Sequence, residues 1–153
     1  MPDQIHLTVA TVIHRDNRFL MVRENDDGRE VINQPAGHVE PGESLLQAAL
    51  RETLEETGWH VSLSGFLGIY TYRSPRNGAT YYRLTFVAEP LERADPMQLD
   101  PDIIAAEWLD LESLKAESDK LRSPLVLSVI ENFLNGPIYP LELIRELPGT
   151  TLP

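Results

Sequence analysis

The sequence predicts an α/β fold, and three observations lead to this prediction. Segments rich in β-branched and aromatic residues, which are typical of strands, lie on both sides of a central helical segment. That central segment has a start signal, a stop signal and an apolar stripe. With 153 residues, the chain is long enough to bury a core without disulfides or a structural metal. We therefore expect one domain over residues 1–153.

The strands are predicted from residue composition and turn signals. Residues 5–13 are predicted to form a buried strand, and the Asp16-Asn17 turn joins it to a second strand at 19–22 in an opening hairpin. Residues 61–72 and 81–88 are predicted to form a longer hairpin across an Asn-Gly turn. Around these strands we expect a polar turn at 25–28, an extended piece at 30–32, a loop at 35–37, an acidic loop at 90–102 and a strand at 104–109.

The central helix has recognisable signals at both ends. Ser44 and Gln47 match the S-x-x-Q capping box, which predicts a helix start at or beside Ser44. Gly58 suits the position just past the helix end. The predicted apolar stripe consists of Leu45, Ala48, Ala49, Thr53 and Leu54. Further helices are predicted from residue 111 and over 124–134, the latter with proline in its first turn.

Charge and composition exclude several classes of function. The chain has 13 Lys and Arg against 24 Asp and Glu, a formal net charge of -11, which repels long nucleic acids and anionic membrane surfaces. It has no cysteine, so thiol catalysis and cysteine-based zinc sites are excluded. Neither a basic leader nor an apolar run of about 20 residues is present, which predicts a cytoplasmic protein. Small phosphorylated partners remain compatible with this charge if a bound cation reverses the local field.

Three glutamates in the central helix predict a metal site. Glu52, Glu55 and Glu56 stand at i, i+3 and i+4, so one helix face holds three carboxylates that repel each other by a few tenths of a kcal/mol per pair. Magnesium prefers such oxygen ligands and leaves positions for water and phosphate oxygens. Arg51 precedes Glu55 by four residues and can also pair with Glu43.

The spacing of these residues resembles the Nudix box, G-x5-E-x7-R-E-U-x-E-E-x-G-U with U a bulky aliphatic residue, over residues 37–59. Thr53 and Trp59 depart from the two U positions, which puts the local packing in doubt but leaves the metal chemistry intact. The resemblance implies an α/β/α sandwich, in which a mixed sheet has the box helix on one side and the C-terminal helices on the other. It also implies Mg²⁺, for which Mn²⁺ can substitute, bound by the Gly37 carbonyl and by the three glutamates.

The resemblance further implies hydrolysis of a diphosphate bond by water. Glu55 is the first candidate for the general base, because related enzymes use this position or a distant glutamate from a later segment. Glu107, which precedes Trp108, is the distant candidate; the alternative is a surface glutamate at a strand end. Arg51 is expected to orient the ligands as part of the catalytic machinery.

Outside the box, residues 33–38, 121–126 and 139–144 resemble the NudJ-type phosphatase subfamily. This implies a nucleoside triphosphate or diphosphate, or a thiamine-pathway diphosphate, as substrate. The candidate substrate-binding residues are Arg83 and Arg122 for phosphate, Tyr81 or Tyr82 for a ring, and His38 beside the metal loop. Two alternatives stay open: a pyrophosphatase for ADP-ribose or another nucleoside-diphosphate derivative, and an inactive ligand sensor. A monomer and a homodimer are both compatible with the sequence.

Overall fold

The computed structural model describes residues 4–147, and a mixed β-sheet with helices on both faces forms its centre. The elements in chain order are β1 (Ile5–Arg15), β2 (Arg18–Asp26), β3 (Arg29–Asn33), β4 (Ala36–His38), α1 (Leu45–Thr57), β5 (Trp59–Arg73), β6 (Thr80–Arg93), β7 (Ile103–Leu109), α2 (Leu111–Ala116) and α3 (Leu125–Asn135). One 3₁₀ turn follows α2 at Ser118–Lys120, and another follows α3 at Leu141–Leu143. No helix within residues 4–147 is long and apolar enough to cross a membrane.

Strand β1 lies inside the sheet and pairs with other strands on both of its edges. It pairs in parallel with β6 over 5–13 and antiparallel with β4 on its other edge. Strand β6 pairs antiparallel with β5, and β2 carries both β3 and β7. The sheet is therefore mixed, and its short strand β4 contacts helix α1.

Each face of the sheet has its own apolar core, because successive side chains of a strand point to opposite faces. On one face Ala48 and Ala49 of α1 pack against buried residues that include Phe66 and Phe86. On the other face α2 and α3 pack against the neighbouring strand positions, among them Leu67 and Val87. This arrangement confirms the predicted α/β/α sandwich.

Helix α1 begins and ends where the sequence predicts. The Ser44 hydroxyl accepts a hydrogen bond from the Gln47 backbone N–H at 3.0 Å, and the Gln47 side chain accepts one from the Ser44 N–H at 3.0 Å. Gly58 ends the helix with a left-handed φ of 74°. The buried Thr53 hydroxyl bonds to Thr11 at 2.8 Å and to the Ala49 carbonyl at 2.8 Å, so the polar departure from the box pattern is satisfied.

Three predicted boundaries are wrong, each because strand pairing overrides local composition. The expected loop at 35–37 contains β4, whose three residues pair with β1. Strand β6 continues to Arg93 through Pro90, where an acidic loop was expected, because β5 still pairs with β6 there. The proline lies beyond Ala88, where the pairing of β6 with β1 ends, so one edge of β6 is open at this point. Residues 25 and 26, expected in a polar turn, belong to β2 and pair with β3. The predicted opening hairpin is present, and β1 and β2 pair beside its turn.

Candidate active site

The site begins where β4 brings the chain against α1. Gly37 pairs with Val9 of β1, and this register holds its backbone directly beside Glu52. A Cβ atom added at Gly37 would overlap the Glu52 carboxylate. Glycine is thus required here for close approach between the loop and the acidic helix.

Three carboxylates converge beside this contact. Glu52, Glu55 and Asp100 each offer an oxygen, and these oxygens all lie within 4.8 Å of one another. The Asp100 N–H donates to the Glu55 carbonyl at 2.9 Å, which holds the loop before β7 against the helix. Glu56 lies outside this group; it is buried, and its Oε1 accepts from the Ala36 N–H at 2.8 Å. Of the three helix glutamates, Glu52 and Glu55 therefore belong to the cluster with Asp100, whereas Glu56 is buried outside it.

The donor set and its burial fit a divalent cation. Burial raises the pKa of Glu56 to about 9, with neighbouring acids adding to the shift and the Ala36 N–H opposing it. Burial also raises the pKa of Glu52, against the opposing hydrogen bond from Arg51. Buried carboxylates without a compensating charge are costly as anions. A hard divalent ion such as Mg²⁺ accepts oxygen ligands of this kind and removes that cost.

Arg51 connects the loop to the carboxylate cluster. Its Nε and Nη2 donate to both oxygens of Glu43 at 2.6 and 3.0 Å, and its Nη1 donates to Glu52 at 2.8 Å and Glu55 at 3.1 Å. Nη2 also donates to the His38 carbonyl at 3.1 Å. The hydrogen bond from Arg51 is the main reason that the pKa of Glu43 is lowered. Arg51 thus holds the orientation of two cluster members, as the sequence predicted.

A cavity of about 590 Å³ opens from this acidic region. Its walls come from residues 36–40, α1, the sheet, the β5–β6 turn and the segment before α3. The lining residues include Gly37, His38, Glu52, Glu56, Tyr72, Asn77, Tyr81, Arg83, Arg122 and Ser123. The cavity therefore contacts both acidic and basic groups.

The basic part of the cavity contains two guanidinium groups, and one of them has unused donors. The Nε and Nη1 of Arg83 are buried and have no hydrogen-bond partner. Burial lowers the pKa of Arg83 to about 10, so it stays protonated at neutral pH. The exposed side of Arg122 faces the same cavity, while its Nη1 pairs with the buried Glu24. Donors of this kind bind phosphate oxygens with charge-assisted hydrogen bonds.

The comparison with family models decides the classification. The NUDIX domain model matches residues 4–128, which is most of the chain. The chain belongs to the Nudix family. It is a Nudix hydrolase, and the predicted box at residues 37–59 lies within the matched range.

Relatives of this Nudix hydrolase support the same classification over nearly the whole chain. It is similar to the phosphatase NudJ of Escherichia coli strain K12 and of Shigella flexneri, each 39% identical over 142 residues, or 92% of this chain and 91% of the relative. A solved NUDIX hydrolase from Nitrosomonas europaea is 38% identical with a TM-score of 0.93, covering 96% of this chain and 100% of that one. An ADP-ribose pyrophosphatase from Streptococcus suis has a TM-score of 0.65 at 17% identity, covers 88% of this chain and 95% of that one, and shares the fold.

Four sequence-predicted residues do not line the cavity of this Nudix hydrolase: Arg51, Glu55, Glu107 and Tyr82. Arg51 bonds to the lining residue Glu52 and to Glu55, so these two lie beside the cavity, whereas Glu107 and Tyr82 lie elsewhere. Glu107 accepts a hydrogen bond from Arg23 Nε at 2.7 Å, and Arg23 also bonds to Glu117. Successive residues of a strand point to opposite faces, so Arg23 and its neighbour Glu24 lie on opposite faces of β2. Glu24 pairs with the cavity residue Arg122. Glu107, which pairs with Arg23, therefore belongs to an ion-pair network on the other face. Tyr82 is exposed and also points away from the cavity, whereas Tyr81 lines it. In this structure Glu107 therefore takes part in an ion pair, and Tyr82 lies at the surface.

The structure also brings in residues that the sequence did not single out. Asp100 reaches the carboxylate cluster from the loop before β7, and Glu24 reaches Arg122 from β2. The acidic composition of residues 90–102 was a signal for the first. A glutamate two residues after the end of the apolar run 19–22 of β2 was a signal for the second. Tyr72 and Asn77 join the cavity through the β5–β6 hairpin. The Asn-Gly signal predicted the turn that contains Asn77, but it did not indicate that the turn lines a cavity.

Replacing Gly37 with Ala tests the close contact. Because φ at Gly37 is not in the left-handed region and the overlapping atoms belong to a side chain, we expect the fold to persist. The Glu52 carboxylate must move, so the Mg²⁺ concentration for half-maximal activity should rise about tenfold or more. A metal titration of activity, with the melting temperature as the control for folding, checks this. An unchanged metal requirement would contradict the assigned role of Gly37.

Proposed function

We propose that this Nudix hydrolase cleaves a diphosphate bond in a small nucleoside triphosphate or diphosphate, or in a thiamine-pathway diphosphate, with Mg²⁺ as cofactor. The observation that carries the proposal is one cavity lined by acidic and basic groups. Glu52, a member of the carboxylate cluster, lines it together with Arg83, whose buried Nε and Nη1 have no partner. A diphosphate has the matching chemistry, since its oxygens bind both metal ions and guanidinium groups. The similarity to phosphatases named NudJ supports the release of phosphate.

Glu52, Glu55, Glu56 and the Gly37 carbonyl are the proposed metal ligands, and Asp100 adds a carboxylate to the set. Bound there, Mg²⁺ or Mn²⁺ would neutralise charge on the phosphate oxygens and lower the pKa of the attacking water. The burial of these groups excludes bulk water from part of the site. Arg51 fixes the orientation of Glu52 and Glu55 before substrate arrives.

We assign the general base to Glu55. Its side chain is 41% exposed, compared with 13% for Glu52, so water has access to its carboxylate beside the cluster. One Glu55 oxygen is held by Arg51 at 3.1 Å, which leaves the other oxygen to accept a proton. Glu107 lacks this position because it pairs with Arg23 on the other face.

The substrate is bound by the remaining cavity residues in this proposal. Arg83 and Arg122 donate to the phosphate oxygens, and Arg83 does so with two buried donors. His38, next to Gly37, lines the cavity beside the phosphate path. Tyr81 lies on the same face of β6 as Arg83 and contacts the organic part of the substrate.

A hydrolysis panel with and without a chelator tests the proposal. We expect phosphate or pyrophosphate release from at least one of a nucleoside triphosphate, a nucleoside diphosphate and hydroxymethylpyrimidine diphosphate, and loss of that activity in EDTA. ADP-ribose is included, because selective cleavage of it would favour the alternative pyrophosphatase. No turnover on any compound, combined with ligand-induced thermal stabilisation, would instead favour a ligand sensor.

Three broader predictions stay predictions. They are a cytoplasmic location, a monomeric or homodimeric state, and one domain over residues 1–153. The family match ends at residue 128, and residues 1–3 and 148–153 lie outside the described part of the chain. Size-exclusion chromatography with light scattering would measure the oligomeric state directly.

A further inference from the structure

We propose that Glu24 is a positioning residue for the substrate phosphate. It holds the Arg122 side chain in place, so that the remaining donors of this guanidinium face the basic part of the cavity. Glu24 acts only through Arg122 and does not itself contact the substrate. This inference rests on the proposed function, in which Arg122 donates to the phosphate oxygens.

The ion pair between Glu24 and Arg122 joins a buried carboxylate to a half-exposed guanidinium. The Glu24 side chain is 9% exposed and the Arg122 side chain is 43% exposed. Arg122 Nη1 donates to Glu24 Oε1. Arg122 lines the cavity, whereas Glu24 is not one of the lining residues in the described part of the chain. The carboxylate therefore holds Arg122 without occupying the cavity, and this single bond leaves Nε and Nη2 for a ligand.

Strand pairing fixes the backbone on both sides of this ion pair. Glu24 of β2 pairs with Val31 of β3. On the segment before α3, the Arg122 N–H donates to the Ile32 carbonyl of β3 at 2.9 Å, and Leu121 forms a parallel bridge with Ile32. With both backbones held, the freedom that remains lies in the long Arg122 side chain. The bond to Glu24 removes much of that freedom before a substrate binds.

Glu24 also offsets the repulsion between two like charges. Burial lowers the pKa of Arg83, the nearby Arg122 lowers it further, and Glu24 opposes these effects. The three groups are thus neighbours. The Arg83 donors Nε and Nη1 are buried, so Arg122 is the guanidinium that can swing into solvent. A carboxylate at this point keeps both cations beside one cavity before a phosphate arrives.

The buried position of Glu24 is costly for a carboxylate, which favours a functional reason for it. Burial raises the pKa of Glu24, and the charge and hydrogen bond of Arg122 oppose this shift. A well-packed apolar residue in place of a buried ionic group is often neutral for stability or better. The β2–β7 register also shifts between Arg23 and Glu24, and such β-bulges re-aim side chains beside active sites. The strand therefore directs Glu24 to Arg122 at a cost to folding.

Binding of methylenediphosphonate tests this role, because water does not cleave its P–C–P bridge. Calorimetry in MgCl₂ compares Glu24→Met, which loses the acceptor, with Glu24→Gln, whose amide oxygen still accepts from Arg122. We expect Glu24→Met to weaken binding about tenfold, because the ligand must then immobilise Arg122, and Glu24→Gln to stay within about threefold of the unmodified protein. Glu117→Met is the matched control: Glu117 pairs with Arg23 on the other face of β2, and the affinity should not change.

A double-mutant cycle shows whether Glu24 acts through Arg122. In an Arg122→Met background, Glu24→Met should have no further effect on the affinity, and an additional loss there would contradict the inference. Equally tighter binding by Glu24→Met and Glu24→Gln would overturn it, since the carboxylate would then act by its charge alone. A Glu24→Met variant that melts earlier but binds with unchanged affinity would also overturn it, because the role would be structural.

The binding measurement does not depend on hydrolysis. If the affinities follow the expected pattern while no diphosphate is hydrolysed, the positioning role stands and the proposed function fails. If a diphosphate is hydrolysed but Glu24→Met binds methylenediphosphonate like the unmodified protein, the proposed function stands and the positioning role fails. An unmodified protein that does not bind the probe would overturn the positioning role, whatever the hydrolysis panel shows.

Discussion

Glu55→Gln and Glu56→Gln should each lower turnover by about a hundredfold or more, the usual range for loss of a positioned base. The two variants remove charge at different points of the site. Glu55 belongs to the carboxylate cluster and is exposed to water, whereas Glu56 is buried and anchored to the Ala36 N–H. A glutamine at either position keeps the volume but neither carries the negative charge nor accepts a proton at neutral pH. Steady-state rates at saturating Mg²⁺ and substrate measure the effect.

The rate at saturating Mg²⁺ separates the two roles. Both variants should raise the Mg²⁺ concentration that is needed for activity, because each removes a proposed ligand. If Glu55 is also the base, Glu55→Gln should show the larger loss of kcat at saturating Mg²⁺. Glu107→Gln discriminates between the candidate bases: it should retain most of the activity, since Glu107 pairs with Arg23 away from the cavity. Near-normal rates in both Glu55→Gln and Glu56→Gln would refute the assignment.

Local signals predicted the elements that frame the site. The capping box at Ser44 and Gln47 and the stop at Gly58 are encoded within one helix, and the structure has all three in those roles. The spacing of the glutamates is equally local, because helix geometry fixes which side chains share a face. For the same reason the Arg51 pairing with Glu55, four residues away, could be predicted from the sequence.

The rest of the site depends on pairing between distant segments, which local patterns do not specify. Strand β4 has only three residues, too few for an alternating pattern, and it forms because the edge of β1 offers hydrogen-bond partners. Glu24 and Arg122 are 98 positions apart in sequence, yet they meet where β2 lies beside the segment before α3. Strand register also decides on which face of the sheet a side chain lies. In β6 it places Tyr81, and not Tyr82, in the cavity wall.

The box residues are close together in the sequence, whereas the basic and aromatic cavity residues come from the β5–β6 hairpin. Gly37, Glu52 and Glu56 lie on one short strand and the helix that follows it. Arg83 lies on β6 and Tyr72 on β5, so their approach to the box residues depends on sheet pairing. This division explains why the family resemblance could be found in the sequence while the complete cavity lining could not.

Replacing Arg83 with Met should impair catalysis and leave the protein as stable as before or more so. The buried Nε and Nη1 of Arg83 have no partner in the protein, and a buried unpaired donor on a charged group is a net cost to folding. Methionine fills much of the same volume without that cost. We expect kcat/KM to fall by about tenfold to a hundredfold, because hydrogen bonds to charged groups are worth about 1.5–3 kcal/mol. The melting temperature should be unchanged or higher.

Opposite movement of activity and stability is the signature of a residue retained for binding rather than for folding. Arg83→Lys keeps the charge but loses the planar fork, so it should recover only part of the activity. Arg18→Met, at an exposed position at the start of β2, is the matched control and should change neither quantity. A marked loss of stability in Arg83→Met would mean that the guanidinium supports the fold, and unchanged kcat/KM would remove Arg83 from the phosphate site. If the substrate phosphate accepts hydrogen bonds from Nε and Nη1 of Arg83, the substrate supplies the partners that these two donors lack in the protein.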